Sequence, residues 1–172
     1  MKSSRGPLIL LMLLYLAFLG YLLATSGQVP ARVATHFNIH GQPNGWMSRS
    51  SLLRFMSLVG SLFPLVVIGA VNLGRLFPSA LNLPRKKFWL APERRHETFT
   101  YLSRQGLWFA SIIVMFMISL QFTLVQANAQ SPVQLSTPLH FAFAGSFLAA
   151  IALWIIVLLR HFLRVPADRS LM

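Results

Sequence analysis

The sequence predicts an all-α membrane protein with four transmembrane helices, a short extended outer loop and a cytoplasmic amphipathic helix. Of its 172 residues, 55% are hydrophobic and only 10% are charged, whereas about a quarter of the residues in soluble domains are charged. Four separate apolar runs are each long enough to cross the hydrocarbon core, which takes about 17 to 25 helical residues. The predicted spans cover about residues 8–25, 52–73, 107–126 and 139–159, within a single polytopic domain that occupies residues 1–172.

The charge balance points to a membrane surface as the partner of the basic residues. The chain carries 15 Lys and Arg against three acids, Glu93, Glu97 and Asp168, for a net charge of +12. In a soluble chain this balance would suggest nucleic acid. Here the charges lie between and beside the apolar runs, where they contact lipid head groups and set the topology. We therefore expect the lipid bilayer, and no nucleic acid, as a partner.

The first apolar run, residues 8–25, is interpreted as a retained span. It is uncharged and follows Lys2 and Arg5. A cleaved signal peptide is the competing interpretation, because small residues stand at the end of the run, where a peptidase would cut. The run is longer than the apolar region of about 7 to 15 residues in a signal peptide, which favours a span.

The second and fourth runs carry features that predict how the helices pack. Pro64 lies inside the second run and frees a backbone carbonyl that a neighbour must satisfy in lipid, so we expect it to be buried. The fourth run is rich in small residues, which let helix backbones approach closely. We therefore expect the fourth span at the centre of the bundle. The small residues are Ala142, Ala144, Gly145, Ser146, Ala149, Ala150 and Ala152.

Orientation follows from the distribution of Lys and Arg. Twelve of them lie in the two termini and in the loop 74–105, against three on the other side, Arg32, Arg49 and Arg54. The positive-inside rule then places both termini and the loop 74–105 in the cytoplasm. The predicted localisation is the cell inner membrane, with the outer loop 26–51 facing outward.

The outer loop holds the most specific pattern in the chain. Apolar and polar residues alternate from Arg32 to His40, as in an extended segment with two different faces. A cluster of turn residues then follows, so the segment should fold back. Gly41 and Gly45 are expected to need backbone conformations that other residues avoid, and Trp46 to anchor at the head groups. The candidate ligand-binding or structural residues are His36, Asn38, Gly41, Pro43, Gly45 and Trp46.

The loop 74–105 carries a second motif. Pro92 suits the first turn of a helix, and acidic residues follow near its positive end. We expect an amphipathic helix that lies along the membrane surface and then turns into the third span. Phe88 and Trp89 are interpreted as interface anchors. The residues of this motif are Trp89, Pro92, Glu93, Arg94 and Arg95.

Together the two motifs carry a family resemblance. Thr35-His36-Phe37-Asn38, with the glycines, Pro43 and Trp46 that follow, and then the block from Trp89 to Arg95, resemble a bacterial membrane family of unknown function. The module, over roughly residues 8–105, is also similar to the one that opens SdpI-type immunity and signalling proteins. That resemblance implies resistance to a secreted toxic peptide and sequestration of a repressor at the membrane. It implies no catalytic residues.

Two functions of different classes follow from these observations. The first is a non-enzymatic binding, immunity or signalling protein, whose outer loop recognises a ligand such as a peptide and whose cytoplasmic loop passes the signal to a regulator. The alternative is a metal-assisted membrane enzyme with zinc held by His36, His40 and His140, a ligand set that zinc accepts. We expect no cofactor, because the outer side offers no carboxylate to complete such a site. A homo-oligomer is compatible with either function.

Overall fold

The computed structural model describes residues 4–164. Lys2, Asp168 and Arg169, which entered the charge analysis, lie outside that range. The main elements are α1 (Arg5–Thr25), β1 (Arg32–Phe37), β2 (Pro43–Ser48), α2 (Arg49–Leu76), α3 (Lys86–Trp89), α4 (Pro92–Asn128) and α5 (Thr137–Leu163). A single 3₁₀ turn, Pro78–Ala80, lies between α2 and α3.

Four helices, α1, α2, α4 and α5, are long and apolar enough to cross a membrane. The prediction of a mostly helical protein with four candidate spans is therefore confirmed at that level. α4 differs most from its prediction, because its 37 residues form one continuous helix. At 1.5 Å per residue it is about 56 Å long, well beyond a hydrocarbon core of about 30 Å. The turn expected between an amphipathic surface helix and the third span is not found, since residues 92–105 are the first turns of α4 itself.

α4 is the central helix of the bundle. It packs extensively against α1 and α2, and α5 packs on it in turn. The buried core joins α1, α2 and α4 through side chains such as Phe18, Met56 and Val114. The end of the bundle that carries the two strands is called the hairpin end, and the end that carries α3 and the start of α4 is called the loop end.

The expectation that the fourth span lies at the centre is wrong. Phe162 is the one buried residue of α5, and a Cβ added at Gly145 would meet no atom within 4 Å. Aromatic residues rather than small ones hold this helix. Ring centroids of α4 and α5 are 4.6 Å apart for Phe109 and Trp154 and 4.1 Å apart for Phe116 and Phe147. Because large rings fill this seam, the small residues of α5 do not draw it into the bundle.

Contacts between α1 and α2 depend on one close approach. Phe18 of α1 is fully buried, and its ring lies where a side chain on Gly60 of α2 would be, with its Cζ atom 2.6 Å from an added Cβ. The Tyr15 hydroxyl also hydrogen-bonds Ser61 Oγ at 2.6 Å. Pro64, one turn further along α2, is buried, as the sequence predicted.

The predicted extended loop is a two-stranded antiparallel hairpin. Two neighbouring residues of its first strand, Val33 and Ala34, are fully buried. The register places Ala34 opposite Trp46 and His36 opposite Gly45, with an irregularity between these pairs. The strict alternation inferred from the sequence as far as His40 is wrong, because the neighbouring residues Val33 and Ala34 are both buried and β1 ends at Phe37, before the turn at Asn38. The hairpin caps one end of the bundle.

Candidate functional site

Asn128, the last residue of α4, fastens the hairpin to the bundle. The Ala34 N–H donates to its Oδ1 at 2.8 Å, and its Nδ2 donates to the Ala34 carbonyl at 2.9 Å and to the Leu124 carbonyl at 2.9 Å. Asn128 is buried, so one side-chain amide replaces a neighbouring strand for a backbone that water does not reach. The sequence does not single out this role, because Asn128 stands between two other amide residues, Gln126 and Gln130, at the end of an apolar run.

Asn38 forms the turn of the hairpin. Its Oδ1 accepts hydrogen bonds from the N–H groups of His40 and Gln42, each at 3.0 Å. Its backbone N–H also donates to the Gln42 carbonyl at 2.9 Å. An Asn side chain that bonds the backbone two residues ahead is a common turn device. Asn38 therefore has its side-chain oxygen committed to local structure.

Gly41 attaches the tip of the hairpin to the connection between α4 and α5. Its φ is +79°, in the left-handed region, as expected. Its carbonyl accepts from the Leu135 N–H at 2.9 Å, while Gln134 Nε2 donates to the His40 carbonyl at 3.3 Å. An added Cβ would contact the Leu135 carbonyl and lie 3.0 Å from Thr137 Oγ1. Both backbone conformation and space therefore require glycine here.

The reason for glycine at position 45 differs from the prediction. Gly41 is the one glycine in the described residues with a positive φ. A Cβ added at Gly45 would lie 2.9 Å from the Cβ of His36, its partner across the hairpin. Gly45 thus gives the His36 side chain room to lie over β2, and its backbone freedom is not required.

Trp46 and Pro43 belong to the second strand. Pro43 is the first residue of β2 and pairs with Phe37. Trp46 is 41% exposed, and the Arg32 guanidinium carbon lies 5.4 Å from its ring centroid. That distance is within the range of a cation–π contact, so Trp46 helps to hold an arginine at the hairpin end.

A cavity of about 730 Å³ lies beneath the hairpin. Its walls come from the hairpin, the first turns of α2, the last turns of α4 and the start of α5. Leu52, Phe55 and Leu124 supply part of its apolar surface, and His36 and His140 lie at its polar edge. The volume falls within the range of about 300 to 1,000 Å³ that is usual for small-molecule sites.

The structure does not bring the three candidate zinc ligands together. His36 and His140 both line the cavity, but His40 does not. In residues 4–164, no group of three or more His, Cys, Asp or Glu is placed to hold a metal ion. The physical reason is the turn at Asn38, which puts His40 on the hairpin tip, where its carbonyl bonds Gln134.

At the loop end, Trp89 is buried against the end of α5. Its Nε1 donates to the Phe162 carbonyl at 2.8 Å, and its ring centroid is 4.8 Å from that of His161. Thr98 Oγ1 donates to the Trp89 carbonyl at 2.7 Å. The interpretation of Trp89 as an interface anchor is wrong, because its indole N–H is bound within the protein rather than wet.

The other residues of the second motif surround this contact. Pro92 is the first residue of α4, and Glu93 is exposed in its first turn. The Arg94 guanidinium carbon lies 4.0 Å from the Phe88 ring centroid, and the Arg95 guanidinium donates to the Arg75 carbonyl at 3.2 Å. The motif therefore ties α3, the start of α4 and the end of α2 together.

Tyr101 and His161 stack at the loop end with ring centroids 3.6 Å apart. Both lie outside the predicted spans. Burial lowers the pKa of His161, and the positive charge of Arg104 lowers it further. Burial raises the pKa of Tyr101, while Arg104 and a hydrogen bond with Gln105 act in the opposite direction. Burial and Arg104 therefore both act against the charged form of the His161 imidazole.

One buried polar contact joins α1 to α4 away from the cavity. Gln121 Nε2 donates to Thr25 Oγ1 at 3.2 Å, and Thr25 Oγ1 donates to the Tyr21 carbonyl at 2.7 Å. Gln121 is fully buried, and its Oε1 has no hydrogen-bond partner among the residues that the structure describes. It is a packing contact between helices and not part of the cavity wall.

Fold and composition together define a multi-pass membrane protein. Residues 8–60 match the model of a family described as a domain of unknown function, DUF1648. The match covers most of α1, the whole hairpin and the first turns of α2. No curated protein and no solved structure matches the chain.

Proposed function

We propose that the chain is a non-enzymatic binding and signalling protein of the cell inner membrane, with its hairpin end outside and both termini in the cytoplasm. The observation that carries the proposal is the cavity of about 730 Å³ beneath the hairpin, which combines an apolar surface with a few polar side chains. Such a combination is typical of ligand sites. The resemblance of the two motifs to those of SdpI-type immunity and signalling proteins supports a binding role rather than catalysis.

The contacts of the hairpin separate residues that shape the site from one that is available to a ligand. Asn38 is committed to the turn, and Gly45 gives space to its neighbour across the hairpin. His36 is exposed and lines the cavity. We assign recognition to His36 and structural roles to Asn38, Gly41 and Gly45.

Two helices connect the cavity with the cytoplasmic motif. α4 runs without a break from Pro92 to Asn128, whose side chain bonds the backbone of Ala34 in the hairpin. α5 begins beside the cavity, which Thr137 and His140 line, and ends against Trp89. A ligand that moves either helix at the hairpin end therefore alters contacts at the loop end, where we propose that a cytoplasmic regulator binds the Trp89–Arg95 motif.

The orientation is testable by thiol labelling, because the native chain has no cysteine. Single cysteines replace the exposed residues Gly27 and Gln130 at the hairpin end and Lys87 at the loop end. In intact cells we expect an impermeant maleimide to label the first two variants, and to label Lys87→Cys only after lysis. The cysteine-free parent is the control for background. The opposite pattern would overturn the proposed orientation.

The binding role predicts that a molecule stays with the purified chain. Protein extracted in mild detergent is analysed by mass spectrometry for any retained peptide or small amphiphile. We expect retention by the native chain, and at least a tenfold loss in His36→Ala at an unchanged melting temperature, because His36 is exposed and its removal leaves the fold intact. Gly45→Val is the matched structural control, and it should lower the melting temperature because its side chain would overlap His36.

Two results would contradict the binding role. One is a native chain that retains nothing beyond bulk detergent. The other is a His36→Ala variant that unfolds at the same lowered temperature as Gly45→Val, since both residues would then only hold the hairpin together.

A further inference from the structure

We propose that the cavity beneath the hairpin binds an anionic phospholipid, which enters from the bilayer between α2 and α5, with an acyl chain against the apolar wall and its phosphate beneath the hairpin. This inference rests on the proposed binding function and names its ligand class. Three features of the site carry it: where the cavity opens, how its polar and apolar walls are divided, and which charges surround it.

The cavity opens towards the lipid. α5 packs against α4 and makes no comparable contact with α2, so a gap separates α2 from α5 in front of α4. The two rings at this gap, Phe55 of α2 and Phe141 of α5, both line the cavity and are 54% and 60% exposed. In a membrane, a gap flanked by exposed phenylalanines faces acyl chains. A lipid can therefore reach the cavity sideways without crossing the hairpin.

The walls combine the two kinds of surface that a lipid molecule needs. The helices supply Leu52, Met56, Leu120 and Leu124, and the hairpin adds the apolar residues Phe37, Ile39 and Met47. Most polar lining residues, Thr35, His36, Asn44, Thr137 and His140, come from the hairpin and the first turn of α5, and Thr123 of α4 is a further one. These donors lie at the end of the bundle where a head group sits, and hydroxyl, amide and imidazole groups all donate hydrogen bonds to phosphate oxygens.

This division favours an acyl chain over a peptide. An extended peptide brings backbone N–H and C=O groups at every 3.2 to 3.4 Å or so, and each needs a partner when it leaves water. The backbone N–H and carbonyl of Ala34 in β1 are already bonded to Asn128 and offer a peptide no partner. An acyl chain brings no polar group, so it can pack against the leucines and methionines of the wall without leaving a hydrogen-bonding group unpaired.

Charge at the hairpin end selects an anionic head. The basic residues there are Arg32, Arg49 and Arg54, and the chain has no acid between Lys2 and Leu90 or between Tyr101 and Ala167. Glu93 and Glu97 lie at the loop end, in the first turns of α4. A head group that carries a phosphate and no positive charge is therefore attracted to this end. The choline cation of a zwitterionic lipid has no carboxylate here with which it could pair.

Native mass spectrometry tests the proposal with defined lipids. The full chain in detergent is titrated with dioleoyl phosphatidylglycerol or dioleoyl phosphatidylcholine, which share their chains and differ in the head. We expect one phosphatidylglycerol to bind at a concentration about tenfold lower than phosphatidylcholine, a ratio that corresponds to about 1.4 kcal/mol. Leu124→Trp fills the apolar wall and should weaken binding of both lipids at least tenfold. In the double variant His36→Gln, His140→Gln, binding of both lipids should weaken, because both carry the phosphate that these side chains bond. In the double variant Arg32→Gln, Arg54→Gln, the preference for phosphatidylglycerol should fall towards one.

Matched controls separate the cavity from the rest of the lipid-facing surface. Leu148→Trp introduces the same side chain on the exposed part of α5 and should leave lipid binding as in the native chain. Leu120→Trp fills the same cavity from one turn away and replaces Leu124→Trp if that variant unfolds. Unchanged lipid binding in the cavity-filling variants, or equal affinity of the native chain for the two lipids, would overturn the proposal. Retention of a peptide in place of a lipid would also overturn it, while leaving the binding function itself standing.

Discussion

Replacing Asn128 with leucine should release the hairpin from α4. Leucine has nearly the same shape but cannot bond the Ala34 N–H and carbonyl, both of which Asn128 now satisfies. Two buried backbone groups then lose their partners, at about 1 to 3 kcal/mol each, so we expect the free energy of unfolding to fall by about 2 to 6 kcal/mol. Unfolding in mixed detergent micelles measures this change. Hydrogen exchange at the Ala34 amide should accelerate in parallel.

Asn72→Leu is the matched control for that experiment. Asn72 is exposed and bonds only the Ile68 carbonyl of its own helix among the contacts described, so its replacement should change the free energy of unfolding by about 0.5 kcal/mol or less. Equal effects of the two variants, or slow exchange at Ala34 in Asn128→Leu, would show that the hairpin is held by other contacts.

Replacing Gly60 with valine should separate α1 from α2. The added side chain would occupy the space of the Phe18 ring, whose Cζ atom lies 2.6 Å from the position of the new Cβ. Phe18 is fully buried and belongs to the core of the bundle, so the ring cannot swing into open space. Overpacking of this kind costs about 1 to 3 kcal/mol, and we expect a value near the upper end. The melting temperature in detergent is the measurement.

Gly69→Val separates the steric effect from helix propensity. Gly69 lies in the same helix, and a Cβ there would meet no atom within 4 Å. We expect this variant to melt at or slightly above the native temperature, because valine is a better helix former than glycine. A Gly60→Val protein that also melts at the native temperature would mean that α1 and α2 repack around the new side chain.

The four long helices were predictable from sequence because the hydropathy of an apolar run depends only on its own residues. Each apolar run satisfies its own backbone, so its length and composition alone mark it as a candidate span. The turn of the hairpin was predictable for a similar reason, since Asn38 and Gly41 act within five residues of each other. Local chemistry was therefore enough for the elements.

The packing of those elements was not predictable in the same way. Small residues in α5 suggested a central helix, but rings such as Phe147 and Trp154 decide where it packs. These two residues are seven positions apart and so lie on the same face of the helix. That spacing is visible in the sequence and indicates a packing face made of aromatic rather than small residues. Which partner they meet on α4 depends on the register of two helices, which a single sequence does not state.

The candidate site shows the same limit more sharply. His36, Asn38 and Gly45 stood out in the sequence, although the reason for Gly45 was wrong. Asn128 was missed because it acts on Ala34, 94 residues away. The cavity itself was missed as well, because it exists only where four separate elements meet.

The hydrogen bonds between Asn128 and Ala34 also bear on the order in which the protein assembles. The segment that matches the family model, residues 8–60, contains the whole hairpin but neither Asn128 nor the Leu135 amide, which bond its backbone at Ala34 and Gly41. During synthesis, both strands emerge long before either group exists, so the buried backbone of Ala34 has to wait through the insertion of α4. Residues 8–60 therefore cannot by themselves satisfy the buried backbone of Ala34 in the way that Asn128 does in this chain.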